Sequence, residues 1–141
     1  SGCASSQLKV SRTSAGAAAG SQYFILKFTN KSGSTCTLTG YPGLSYVAQA
    51  GVQSGNAADR DGTTYHTVTL KPGASAGSRV RDANGQSGYS PSTCKLATAQ
   101  GLRIYPPNQK AALFLPWKTQ HCSGSAVHAL TVGPVELNPH W

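Results

Sequence analysis

The stretch Tyr23-Phe24-Ile25-Leu26-Lys27-Phe28 is the most strongly patterned in the chain. Its near-continuous apolar run reads as a strand in the middle of a sheet. The run stops at Asn30, where Lys31-Ser32-Gly33-Ser34 supplies turn residues. Upstream, Gln7 to Ser11 reads as a first short strand with Leu8 and Val10 on one face. Ala15 to Gly20 is small-residue chain that reads as a loop.

Downstream, Cys36 to Leu38 and Leu44 to Ala48 read as short strands separated by Tyr41-Pro42-Gly43, with Gly43 suited to a positive φ. Gly51 to Gly62 is polar and loop-like. Thr64 to Leu70 alternates, with His66, Val68 and Leu70 on one side. Lys71-Pro72-Gly73 turns the chain, and Ala76 to Arg81 is expected to pair with the strand before that turn. Asp82 to Ser92 reads as a long loop, and Thr93 to Gln100 is the one stretch that fits a helical turn. Gly101 to Tyr105, Ala111 to Leu115 (ended by Pro116) and Val127 to Val135 complete the strands. About eight short strands with frequent turn signals predict an all-β chain, an antiparallel β-sandwich. Phe24, Leu26, Phe28, Val68, Leu70, Leu102, Ile104, Leu113, Leu115, Leu130 and Val132 are the expected core.

Composition supports the same class. The chain has 141 residues, the length of one ordinary domain, and no linker divides residues 1–141. Gly and Pro together number 24, which favours turns over helices. Charged residues make up only 11%, and twelve Lys and Arg face Asp59, Asp61, Asp82 and Glu136, giving a net charge of +8. The basic residues are scattered and form no run of five, so no nucleic-acid arm is signalled. A diffuse positive field can still attract an anionic polymer or surface. No span long and apolar enough for a membrane is present, and Ser1-Gly2 reads as a processed start. The four Cys include no CxxC pair and suit two disulfides in an oxidising compartment, the mark of a secreted domain.

Several segments carry a resemblance. Phe28-Thr29-Asn30-Lys31-Ser32-Gly33, Cys36-Thr37-Leu38-Thr39-Gly40-Tyr41-Pro42-Gly43, Leu70-Lys71-Pro72-Gly73-Ala74-Ser75-Ala76, Gly101-Leu102-Arg103-Ile104-Tyr105-Pro106-Pro107 and Leu130-Thr131-Val132-Gly133-Pro134-Val135 together resemble a domain-of-unknown-function family of secreted proteins and lipoproteins of actinobacteria. The likeness runs from about Cys3 to Val135. It implies an immunoglobulin-like fold and an extracellular setting, and it brings no activity with it. Four cysteines allow three pairings. Cys3 with Cys36 and Cys94 with Cys122 is the expected one, because Cys3 on the first strand is within reach of the strand holding Cys36. Cys3 as a lipid-bearing residue is the alternative use.

The candidate chemistry is sparse. Gly73-Ala74-Ser75-Ala76-Gly77 fits the G-x-S-x-G pattern but follows a Pro-Gly turn and lacks the strand-to-helix setting that the pattern needs. His66, His121 and His128 offer metal donors without enough carboxylates for a closed shell. His121-Cys122 as a dyad fails because neighbours on a strand point to opposite faces. Asp59 and Asp61 flank Arg60 in a polar loop and read as turn and solubility residues. Asn30-Lys31-Ser32 fits a glycosylation sequon.

No catalytic residue, metal or cofactor is expected, and the chain is read as no enzyme. The leading expectation is an extracellular interaction module that binds another secreted protein or the cell envelope, with Trp117, Lys118, Trp141 and Tyr89 as binding residues. The alternatives are an inhibitor of a secreted peptidase, presenting Asp82 to Thr93, and a binder of carbohydrate or anionic wall polymer through Trp117 and Lys118.

Overall fold

The structure, a computed structural model, describes residues 2–13, 16–18, 21–62, 64–83 and 89–141. Among these, twelve strands and three short helical turns are formed: β1 Leu8–Arg12, β2 Gly16–Ala18, β3 Ser21–Asn30, β4 Cys36–Thr39, β5 Gly43–Val47, β6 Gln53–Ser54, β7 Asp59–Arg60, β8 Thr67–Leu70, β9 Ser75–Asp82, β10 Leu96–Tyr105, β11 Leu113–Cys122 and β12 Leu130–Val132. The one α-turn, Pro91–Cys94, shares only Thr93 and Cys94 with the stretch expected to be helical, which from Leu96 onward is strand β10.

Three sheets result. The largest runs β1-β3-β9-β12-β7, with β2 continuing the β1 edge along β3. The second runs β11-β10-β5-β6, and β4 pairs with β8 in a third. The chain is therefore an all-β, immunoglobulin-like sandwich with two disulfides. Its strands outnumber the expected eight because several are two- or three-residue pieces. Strand pairing is antiparallel except where β7 joins β12 in parallel, and an isolated parallel bridge joins Gly2 to Thr37.

β3 sits between β1 and β9, as its apolar run predicts. Phe24, Leu26, Phe28 and Asn30 point inward, and Ile25, Lys27 and Thr29 point outward with the pleat. The core draws on all three sheets: Leu8, Phe24, Leu26, Phe28 and Val80 face Leu44, Tyr46, Leu102 and Ile104, with Leu38, Val68 and Leu70 closing one end. Leu113 and Leu115 pack against this core only partly buried.

Asn30 ends β3 fully buried and fully engaged. Its side-chain amide donates to the carbonyls of Ser34 and Leu70 at 2.8 and 2.9 Å. Its Oδ1 accepts from the Ser32 N–H and hydroxyl. The side chain thus ties β3 to the end of β8, and no sequon amide is free for modification. The Pro72-Gly73 reversal returns to the same residue, since the Gly73 N–H donates to the Asn30 carbonyl with Gly73 at φ +84°.

Four local expectations are corrected. β9 pairs with β3 and β12 instead of β8, whose partner is β4. Gly43 opens β5 opposite Tyr105, while the positive φ falls on Gly40. The final long strand is only Leu130–Val132, because Gly133-Pro134 bends the chain before Glu136 rejoins β9 at Gly77. Pro116 does not end a strand. It lies inside the ten-residue β11, the outermost strand of its sheet, where a missing N–H costs no ladder bond if it faces away from the neighbour. Beside it the register slips: Ala99 faces Thr119 and Gly101 faces Pro116, so Trp117 and Lys118 stand opposite Gln100 alone. Two residues against one is a β-bulge.

Cys3–Cys36 ties the chain start to β4, and Cys94–Cys122 ties the α-turn to the end of β11, with Cα separations of 4.9 and 4.5 Å. Such bonds belong to an oxidising environment. No helix among the described residues is long and apolar enough to cross a membrane.

Candidate functional site

After β12 the chain bends at Gly133-Pro134 and crosses the outer face of the large sheet. Glu136 exchanges backbone hydrogen bonds with Gly77, and the Val135 N–H donates to the Gly40 carbonyl. A Cβ at Gly77 would meet Ile25 Cγ2 at 2.8 Å, the Leu26 carbonyl at 2.9 Å and Pro139 at 3.1 Å, so a bare residue lets the tail lie flat. Trp141 anchors the far end: its indole N–H donates to the Phe24 carbonyl at 3.0 Å, and its ring meets Tyr23 edge-on at 4.9 Å.

This path opens two adjoining clefts. One, of ≈ 300 Å³, is walled by Asp61, Arg79, Thr131, Glu136 and Trp141. The other, of ≈ 410 Å³, is walled by Tyr65, His66, Val68, Val135 and Leu137. They share Thr64, Pro134 and Glu136. Tyr65, Leu137 and Trp141 border them with 53%, 61% and 55% of their surfaces exposed. Tyr41 braces the near wall by donating its hydroxyl to the Gly62 carbonyl at 2.6 Å and standing edge-on to Tyr65. Arg79 is held in place by Glu136 at 3.8 Å and donates to the His140 carbonyl. The surface thus offers a mainly polar recess beside a more apolar one, with carboxylates, a guanidinium and hydroxyls in their walls.

The residues singled out from sequence do not assemble into one site. Trp141 borders the paired clefts. Trp117 is half-buried, turned inward at the β11 bulge: it meets Phe24 edge-on at 5.3 Å, and the Arg12 guanidinium lies 3.9 Å from its ring. Lys118 points to solvent from the opposite side of β11. Tyr89 packs on a small cluster around the Cys94–Cys122 disulfide and lines a shallow ≈ 200 Å³ recess with Pro91 and Leu96. The loop considered for peptidase inhibition lies partly outside the described residues, at 84–88. Leu137 is not among the residues the sequence singles out, and Tyr65 is one of its aromatics but not one of the expected binding residues. Loop polarity hid them, and only the alternation beginning at Thr64 hinted that Tyr65 faces away from Val68.

A second group is buried. The Tyr46 hydroxyl donates to Asp82 Oδ2 at 2.6 Å, and the Tyr46 ring stacks on His121 at 4.3 Å. His121 Nε2 lies 2.9 Å from the Ser54 hydroxyl. Burial, then the Asp82 charge, pushes the Tyr46 pKa far up. Burial pulls the His121 pKa down, against opposing contributions from Asp82 and a backbone hydrogen bond at Cys122. The adjacent void is ≈ 20 Å³, about the room for one water and none for a substrate. This group therefore clamps sheet to sheet. His128, by contrast, is exposed 3.6 Å from Asp59. Ser75 opens β9 with its hydroxyl 2.7 Å from Thr29, so the G-x-S-x-G match falls on a strand. Among the described residues no three His, Cys, Asp or Glu side chains gather as a metal shell.

A family described as a domain of unknown function, DUF4232, matches residues 3–136. The chain belongs to the DUF4232 family. No curated protein and no solved structure matches the chain. The DUF4232 match takes in both disulfides, the Asn30 clasp and the start of the cleft-forming tail, and its bounds agree with the extent of the resemblance seen in the sequence.

Proposed function

We propose that this DUF4232 domain is a non-enzymatic, exported interaction module of an actinobacterial cell, and that the paired clefts around Pro134 and Glu136 dock another secreted or envelope protein. The observation that carries this reading is the gathering of Tyr65, Leu137 and Trp141 about one pair of recesses. Large side chains left exposed around a concavity are the usual anchors of protein recognition. Two disulfides suit a rigid scaffold working outside the reducing cytoplasm.

The test is capture of partners from native culture fluid and envelope extracts on the intact chain. The double variant Tyr65→Ala, Leu137→Ala removes two anchors at exposed sites and leaves the core alone. A partner retained by the parent chain and lost by the variant, with concomitant change in Trp141 fluorescence on binding to the parent, supports the proposal. A partner held equally by both removes the clefts from the reading.

A further inference from the structure

On the large sheet, carboxylates and arginines share the β9–β7 side, and lysines hold the other side. Asp82 is buried, so Asp59, Asp61 and Glu136 are the carboxylates with access to solvent. Asp59 lies on β7, Asp61 just after it, and Glu136 on the tail beside β9. The opposite edge of the sheet carries lysine. Lys9 faces Thr29 across β1 and β3, while Lys27 faces Ser11 on one side and Gly77 on the other. Lys9 and Lys27 share the outer face as diagonal neighbours, a spacing of about 7–8 Å. Lys31 follows the Asn30 clasp, and Lys71 follows Leu70, which the same clasp holds. All four lysines are exposed, and among the described residues none has an ion-pair partner. The β1 and β7 edges lie four strand spacings apart, roughly 19 Å.

Between the lysines and the tail runs a recess of ≈ 200 Å³ walled by Thr13, Ile25, Lys27, Ser75, Asn138 and Pro139, among others. It sets the exposed Lys27 cation beside hydroxyls and an amide, along a concave surface that Ile25, Ala76 and Pro139 also line. From these placements we infer that the β1–β3 end of the outer sheet face binds a linear polyanion, whose phosphate or carboxylate groups run across Lys9 and Lys27 and seat one unit in the recess beside Ser75 and Asn138. Lys31 and Lys71 add positive charge beside the Asn30 clasp, whereas on the β9–β7 side Arg60, Arg79 and Arg81 stand among Asp59, Asp61 and Glu136 and leave the field nearly balanced. The site is separate from the clefts at Tyr65 and Leu137, and either can hold without the other.

Binding of the full chain to inorganic polyphosphate and to polygalacturonate separates the phosphate from the carboxylate source. The variant Lys9→Gln, Lys27→Gln is compared with Lys95→Gln, Lys110→Gln, which removes equal charge from elsewhere. The first is expected to weaken binding of the preferred polymer at least about tenfold and to flatten its salt dependence, and the second to weaken it less than about twofold. Lys9→Arg, Lys27→Arg, which keeps the charge, is expected to bind like the parent and guards against a folding artefact. Equal losses in the two glutamine variants would mean a diffuse field and would overturn the assignment, as would failure of the parent to bind either polymer.

Discussion

The Tyr46 hydroxyl reaches across the sandwich to Asp82, 2.6 Å away, and joins β5 of one sheet to β9 of the other. Both side chains are buried, so the bond is a short, charge-assisted one in a region of low polarity. Tyr46→Phe keeps the ring stack on His121 and deletes only the donor. The expected loss is about 1.5–3 kcal/mol, read as a lower midpoint in urea with an unchanged slope.

His121 gives the fold a pH dependence. The folded state holds the imidazole neutral, with its pKa below the ordinary value of 6.5, while the unfolded chain takes up the proton there. The unfolded state therefore binds more protons as pH falls through 6.5, and stability drops with it, by at most about 1.4 kcal/mol per pH unit from this group. Above that pH the contribution is fully present. Urea midpoints measured from pH 7.5 down to about 5 should fall for the parent chain and fall less steeply for His121→Asn. Equal slopes would remove His121 as the cause.

Asn30 makes a sharper case because its two ends do opposite work. Asn30→Ala leaves the buried Leu70 carbonyl without its side-chain partner and should cost about 2–3 kcal/mol. Asn30→Asp is nearly isosteric, yet it sets an acceptor against the carbonyls of Ser34 and Leu70. It should destabilise at least as much as alanine. An aspartate variant as stable as the parent would show that the donated bonds carry no weight.

The two disulfides close stretches of 33 and 28 residues, so each is worth about 3–4 kcal/mol in the chain-entropy account. Their surroundings differ. Cys3 and Cys36 sit in the main core, whereas Cys94 and Cys122 form much of a small cluster with Val127 and Ala129. The pair Cys94→Ala, Cys122→Ala should speed amide exchange at Lys95 and Ser123 more than at Phe24 or Leu26. Cys3→Ala, Cys36→Ala should lower protection throughout the main core.

Local patterns in the sequence carried the elements that depend on neighbours along the chain. The Phe24, Leu26, Phe28 alternation gave β3 its inward face, and Pro72-Gly73 gave its turn. What depended on distant partners stayed hidden. Tyr46, Asp82 and His121 are brought together by three strands far apart in sequence, and nothing near any one of them marks the others. β9 chose β3 over the adjacent β8, a choice made by core packing instead of chain proximity. Trp117 flanked by Pro116 and Lys118 looks exposed by composition, yet it faces inward on the same side of β11 as Leu113 and Leu115. Tyr65 and Leu137 became a surface only when the tail bent at Gly133-Pro134, so no periodicity along either segment could announce them.

The perimeter of each larger sheet has one further effect. β6 and β7 are two residues long, β1 ends at Arg12 after five residues, and β11 carries Pro116 beside its bulge. Among the described residues these two sheets leave no long, uninterrupted edge on which a second molecule can template itself. A β-rich protein built this way can accumulate at high local concentration without fibre growth, even though it is made almost entirely of the structure that fibres use.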